Sequence, residues 1–417
     1  MTATISATPP PRIRSRALGP LVVVFLGVGL STALSFPFLS LFLTSAVHAG
    51  PIKLTVFLLA LPLSGVVAST VLGRLSDGRV ARKRALQVSA VAGCISAVLF
   101  SILRSYWPLL VLACTVTAVG GALMAQGFAY ARATLASEPN APMINSTLRT
   151  FFSLSWVAGP PLASLLLTTG GFATLYVCSA GLYALVFVVV SRWLVEPPAV
   201  QPLTQTEKAD GGLLTDSGRR ALWTTLVALV LLSSAMALNV QALPLLVRHN
   251  LHAGVGSAGV LLGICAALEI PIMLGFGVLS KRIPLQRLVL LGPLFGLGYF
   301  TLASVVGHVW QLGAAQLLNA CFIGVLQGLG ISYVQEFLPT QPGRASTLYS
   351  NTFPCGIILA GPLLGIGARF GYRVSFVAAI GLVAGGLVLL IAGRPSGRQQ
   401  FGRRTPMSWL ARAVRRS

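Results

Sequence analysis

The chain has 417 residues, 55% of them hydrophobic and only 9% charged, with a mean hydropathy of +0.83. A soluble domain carries roughly a quarter charged residues, so a water-facing globule of this size is excluded and most of the surface must meet lipid. A net charge of +22 raises nucleic acid as a partner, a question settled below by where the basic residues fall.

A helix crosses the hydrocarbon core with about 20 apolar residues. Runs between charged or Pro/Gly-rich breaks predict twelve such helices: Leu18–Val47, Leu54–Leu72, Ala85–Ile102, Trp107–Ala131, Ser146–Leu167, Phe172–Trp193, Ala221–Val247, Val255–Leu279, Leu285–Val305, Gln311–Leu338, Ser346–Ile366 and Val374–Ala392. The apolar run after Arg12, Arg14 and Arg16 is too long for a signal-peptide core, so 1–17 reads as a cytosolic tail before a retained helix. The stretch 196–220, rich in proline, glycine and mixed charge, reads as a flexible cytosolic linker between units 18–195 and 221–393, with a basic tail over 394–417.

With both termini on the cytosolic side, 25 of the 30 basic residues fall there, and Lys53, Arg104, Arg248, Arg369 and Arg373 fall opposite. That is the positive-inside bias of a multi-pass protein of the cell's inner (plasma) membrane, and it explains the charge without nucleic acid. Trp107 and Trp310 mark one interface, Trp193 and Trp223 the other. The segment Met407–Arg416 reads either as a basic helix on anionic headgroups or as a solvated tail. All six cysteines lie in apolar runs without CxxC pairs or histidine neighbours, and the four histidines fall in predicted external loops; no metal or cofactor is expected.

The two halves echo each other. Ser146-Thr147-Leu148 recurs as Ser346-Thr347-Leu348, Gln126-Gly127 as Gln327-Gly328, Ala158-Gly159-Pro160 as Ala360-Gly361-Pro362, and Gly73-x-Leu75-Ser76 as Gly277-x-Leu279-Ser280, in the same order at nearly one spacing. Six spans per half is an even number, so both copies enter the membrane in the same sense. The expected fold is an all-α membrane protein of twelve transmembrane helices in two six-helix bundles, with a cleft between them and alternating access as the mode of work.

The stretch Gly73-Arg74-Leu75-Ser76-Asp77-Gly78-Arg79-Val80-Ala81-Arg82-Lys83 resembles the loop 2–3 signature of the major facilitator superfamily, with one residue inserted before the basic pair. The resemblance implies a gating role for Gly73, Asp77, Arg79, Arg82 and Lys83, whose charge pairs would form in one state and break in the other. The basic cluster also serves topology. The second copy, Gly277–Arg282, lacks the acid. Further stretches are similar to the sugar efflux transporter branch: Ser155-Trp156-Val157-Ala158-Gly159-Pro160-Pro161 preceded by Arg149, Leu268-Glu269-Ile270-Pro271, Gln316–Gly324, Ile358–Gly361 and Phe38–Leu43. They imply a secondary active exporter of sugars or small glycosides, working by proton antiport as a monomer among membrane lipids. One departure concerns Asn239–Pro244, which has no acid where this branch is expected to carry one.

Of eight acids, Glu269 alone sits deep in a predicted span. A charged carboxylate there costs about 2.5–3.5 kcal/mol on insertion scales, so it reads either as the proton-coupling group or as an acid kept neutral and hydrogen-bonded to a neighbouring helix. Pro271 follows it and would free the carbonyl of Ala267. Arg149 would pair with Glu269, contact sugar hydroxyls or snorkel to headgroups. Gln126, Asn239, Gln241, Asn319, Asn351 and also Gln316 offer amides that can donate to and accept from a sugar, and interhelical hydrogen bonding is the competing role. Trp156 would stack on a sugar's apolar face or simply pack. A multidrug/proton antiporter of the same fold is the main alternative. A membrane-embedded enzyme is remote, since the only deep acid has no catalytic cluster around it.

Overall fold

The computed structural model describes residues 18–78, 81–134, 141–196, 216–339 and 341–393, leaving out the side chains of 77, 78, 141–143, 145, 146, 149 and 342. The described residues form helices joined by short turns, without a strand. In chain order these are α1 (Leu18–Ser35), a 3-10 turn (Phe36–Phe38), α2 (Leu39–Ser45), α3 (Pro51–Gly78), α4 (Arg82–Ile102), α5 (Tyr106–Leu112), a π turn (Ala113–Thr117), α6 (Ala118–Gly121), α7 (Leu123–Thr134) and α8 (Ala141–Trp193). After the linker come α9 (Asp216–His249), α10 (Val255–Leu279), α11 (Leu285–Val305), α12 (Val309–Phe337), α13 (Pro342–Phe370) and α14 (Arg373–Ala392).

Among the described residues, eleven helical runs are long and apolar enough to cross a membrane. The difference from the twelve expected lies in α8, whose 53 residues cover the fifth and sixth predicted spans. Gly171 interrupts it with φ 67° and ψ −163°, a conformation that costs a residue with a Cβ dearly, so the chain reverses there with no intervening loop. The second predicted span is longer than read, from Pro51 to Gly78, and the predicted loop signature from Gly73 to Gly78 is helix. Most of the predicted linker (197–215) and both tails lie outside the described residues.

Large apolar side chains such as Ile52, Val67, Leu274 and Val305 stand exposed, as a lipid-facing surface requires, and so do Trp107, Trp193, Trp223 and Trp310. The helices before the linker pack as one set, α1 and α4 against α8; those after it pack as another, α9 against α13 and α14, and α12 against α10 and α11. Between the sets, α10 meets α8, α13 meets α3, and α2 with the 3-10 turn meets α9. Glycines allow the close approaches: a Cβ on Gly296 would touch the Phe322 ring, and one on Gly386 the Leu232 side chain.

Two buried cores follow. One is continuous across both sets, running from Leu34, Phe42 and Phe57 through Leu238 and Leu246 to Leu364 and Phe376. The other, around Leu21, Phe25, Leu86, Tyr130 and Val190, belongs to the first set alone. Its residues lie where α1, α4 and α8 meet the end that carries Arg82 and Glu196, so the apolar contact between sets is concentrated at the opposite end.

At the Arg82 end, α4 is capped from a distance. The Glu196 carboxylate accepts the Arg82 N–H at 2.6 Å and the Lys83 N–H at 3.0 Å, satisfying helix donors that lack partners of their own. Tyr130 donates its hydroxyl to the Val195 carbonyl beside it. Sequence patterning placed Glu196 at the start of the linker, because nothing local reveals a capping partner 114 residues away.

Candidate functional site

The seam between the two sets is built from small residues. A Cβ on Gly259 would overlap the Pro160 carbonyl and the Ser164 hydroxyl, and one on Gly263 would press on Pro161 at 2.5 Å. Across the molecule a Cβ on Gly361 would meet Leu58 at 3.2 Å, and Gly365 lies against Thr55 and Pro51. Both pairs follow the small-x-x-x-small spacing that lets helix backbones approach. The space left among Leu58, Leu238, Gln241 and Gly361 is about 10 Å³, room for no more than one water. Hydrogen bonds join the halves at the same end: the Ser164 hydroxyl to the Val255 carbonyl at 3.1 Å, and a cluster at Gln241. There the Ser40 N–H donates to Gln241 Oε1 at 3.2 Å, Gln241 Nε2 donates to the Phe36 carbonyl at 2.9 Å, and the Ser40 hydroxyl donates to the Gln241 carbonyl at 2.6 Å.

Asn239 lies two residues earlier on α9, roughly 200° around the helix, and turns into the second set. The Tyr299 hydroxyl donates to Asn239 Oδ1 at 2.9 Å; Gln316 Nε2 donates to the Tyr299 oxygen at 3.4 Å; Asn319 Nδ2 donates to Gln316 Oε1 at 3.0 Å and to Cys265 Sγ at 3.1 Å. Asn239, Tyr299, Gln316 and Asn319 are all at most 2% exposed. One helix therefore presents two amides with different partners, Gln241 toward the first set and Asn239 toward α11 and α12. Tyr299 was not singled out by the sequence reading. Its signal was a hydroxyl in mid-span, which has to find a partner when no water is near.

This network ties four helices together and carries a prediction. Asn319→Leu leaves the Gln316 carbonyl oxygen and the Cys265 thiol without their donor. Buried unsatisfied groups cost about 1–3 kcal/mol, so the melting temperature in detergent drops measurably, and more than for Asn351→Leu. Asn351 is exposed on α13. Equal melting temperatures for the two variants would refute the stabilising role.

Glu269 is half-buried on α10, one turn after Cys265. Among the described residues no hydrogen bond or ion pair reaches its carboxylate. The helix runs on through Pro271 to Leu279. A Cβ on Gly324 would meet Ile272 at 3.0 Å, so α12 lies directly against the Glu269–Ile272 turn. Trp156 sits on α8 with its ring 6.4 Å from the Phe36 ring in an edge-on arrangement. Gln126 is buried on α7. Arg149 belongs to α8 and Asp77 to the last turn of α3, but their side chains, like the whole of Arg79, lie outside the described residues.

The remaining members of the signature act within the first set. Arg82 Nη1 donates to the Ala129 carbonyl at 3.2 Å, and Lys83 Nζ to the Ser191 carbonyl at 3.0 Å. Gly73 has open space where a Cβ would stand. The structure thus separates the sequence candidates into three places: Gln241 in the seam, Asn239 and Asn319 in the network of the second set, and Glu269 with Trp156 on helices that flank the seam. The Gly259/Gly263 and Gly361/Gly365 pairs went unremarked in the sequence, although their four-residue spacing was visible.

The family model described as Major Facilitator Superfamily matches residues 21–340. "Sugar efflux transporter A" of Dickeya chrysanthemi is 34% identical over 372 residues, 89% of this chain and 93% of that protein. The "Putative sugar efflux transporter" of Deinococcus radiodurans is 35% identical over 388 residues, 91% and 98% of the two chains. Among solved structures, the nucleoside transporter NupG superposes with a TM-score of 0.73 over 91% of this chain and 99% of that one; at 13% identity it speaks for the fold alone. The chain belongs to the major facilitator superfamily and, through relatives sharing about a third of its sequence over nearly their whole length, to the sugar efflux transporters within it.

Proposed function

We propose that this chain exports sugars or small glycosides across the inner membrane by proton antiport, with two six-helix bundles, twelve crossings in all, rocking about a central site. The break at Gly171 divides α8 into the fifth and sixth crossings. With the basic ends of α4, α9, α11 and α13 on the cytosolic side, the glycine seam is the outer gate, and the conformation is closed outward and open inward. The termini then face the cytoplasm. The names of the relatives support the substrate class.

The observation that carries the coupling is Glu269. It is a half-buried carboxylate without an ionic partner among the described residues, on the same helix that seals the seam through Gly259 and Gly263, about 9 Å further along. A change of charge at Glu269 therefore acts on a helix whose other end holds the gate. Trp156 offers an apolar platform for a sugar ring, and Arg149 and Asn351 are the polar groups assigned to the sugar. Asp77, Arg79, Arg82 and Lys83 bias the inner gate. Asn239 and Asn319 hold the second half in shape behind this surface.

Cells expressing the protein accumulate less labelled sugar than vector controls when offered a panel of mono- and disaccharides and glycosides, and collapsing the proton gradient removes the difference. Equal accumulation across the panel, combined with resistance to lipophilic cations, would transfer the chain to the drug antiporters.

A further inference from the structure

Pro37 lies in the first crossing, where its missing N–H and bulky ring deprive the Ala33 carbonyl of its regular partner and the chain leaves the α-helix. The chain answers with the 3-10 turn Phe36–Phe38, where the Phe36 carbonyl accepts from the Leu39 N–H. A regular α-helix would join that carbonyl to the N–H of Ser40, four residues on. In this structure the side chain of Gln241, from the other half of the molecule, reaches both groups: Nε2 donates to the Phe36 carbonyl and Oε1 accepts the Ser40 N–H. A backbone acceptor and a backbone donor one helical step apart accept a carboxamide in one orientation only. Gln241 is 4% exposed and Ser40 fully buried, so bulk water is kept from these bonds.

We propose that Gln241 is the latch of the outer gate and a positioning residue for the substrate site, its amide spliced into the broken ladder of the first crossing. While the splice holds, the gate is shut and the Phe36 carbonyl is fixed, which sets the Phe36 ring against Trp156. When the halves part, Phe36 and Ser40 lose the amide together, the Phe36–Ser40 bond of a regular helix becomes available, and the turn that follows Pro37 rewinds. The Phe36 ring then turns relative to Trp156, so opening the gate reshapes the surface that holds the sugar. Gln241 thereby acts on the sugar through Phe36 rather than by touching it. This rests on the alternating-access reading given above but not on Glu269 as the proton carrier.

The test uses the full-length protein with its six native cysteines replaced, a background first shown to transport, to which Glu269→Gln and the reporter Leu58→Cys inside the seam are then added. Gln241→Leu fills the same space without either hydrogen bond, and labelling of the reporter by a membrane-impermeant maleimide rises several-fold. Gln241→Glu is the decisive variant. As a carboxylate it still accepts from Ser40 but faces the Phe36 carbonyl with a second lone pair, so the gate opens; protonated, it regains a donor and the gate closes. Its labelling, taken relative to Gln241→Leu at the same pH, therefore falls as pH is lowered. Reporter labelling in Gln241→Leu no faster than in the parent, or a Gln241→Glu ratio independent of pH, overturns the latch. If Gly259→Val exposes the reporter and Gln241→Leu does not, the halves move and the latch alone fails. If neither variant exposes it, the halves do not part at this end and both readings fall.

Discussion

Glu269→Gln reduces gradient-driven sugar efflux to the level of a vector control while leaving sugar–sugar exchange intact. Glutamine keeps the size of the protonated acid and fixes its charge at zero. In the proposed cycle the carboxylate is ionised when the cleft hydrates it and neutral when the cleft closes around it. Burying the ionised form at mid-span costs about 2.5–3.5 kcal/mol, enough to hold closure back until a proton arrives. The neutral variant lacks that restraint, so it moves sugar in either direction down its own gradient but no longer against it. Everted vesicles separate the two activities: uptake of labelled sugar into an acidic lumen against its own gradient reports the first, and release of preloaded labelled sugar into excess unlabelled sugar reports the second. The exchange rate of the variant is also independent of pH, whereas the native protein's varies. Retention of uphill transport in Glu269→Gln would remove this residue from the coupling step. Loss of both activities would make it a structural or substrate-binding group instead.

The apolar runs were legible in the sequence, since hydropathy alone decides which segments leave water, and Glu269 was singled out by its place inside one of them. The number of helices was not legible: twelve spans were expected and eleven membrane-length helices are described, the fifth and sixth predicted spans falling in α8, where a single glycine of positive φ stands in place of a loop. What a buried amide bonds to was not legible. Asn239 and Gln241 look alike in a hydropathy profile, being neutral amides two residues apart on one helix. Their partners, Tyr299 on one side and the Phe36–Ser40 backbone on the other, are 60 and about 200 positions distant and depend on which face of α9 meets which neighbour. Pro37 marked where the first crossing departs from a regular helix, but the carbonyl it frees is that of Ala33, one turn away from the pair that Gln241 takes. Nothing in the local sequence says that this pair is taken by a side chain from the opposite half. The same limit applied to Glu196, whose role as a cap for α4 exists only once the helices are assembled.

The gate itself should respond most to Gly259→Val. A Cβ at this position overlaps the Pro160 carbonyl oxygen, and that oxygen belongs to backbone stiffened by two consecutive prolines, Pro160 and Pro161, so it cannot rotate away as a side chain would. Relief comes only by moving α10 from α8. Overpacking costs about 1–3 kcal/mol, charged only to the state in which the seam is closed, which shifts the balance between closed and open forms by roughly 5- to 150-fold. The expected result is a protein that folds and inserts normally, exposes Leu58→Cys to impermeant thiol reagents, and transports little, because it no longer completes the inward-open half of its cycle. Gly275→Val on the same helix is the control: nothing stands near a Cβ there, and transport should survive. A Gly259→Val variant with native transport and a protected seam would mean that the two halves do not close through this contact, and the assignment of the glycine seam as a gate would have to be abandoned.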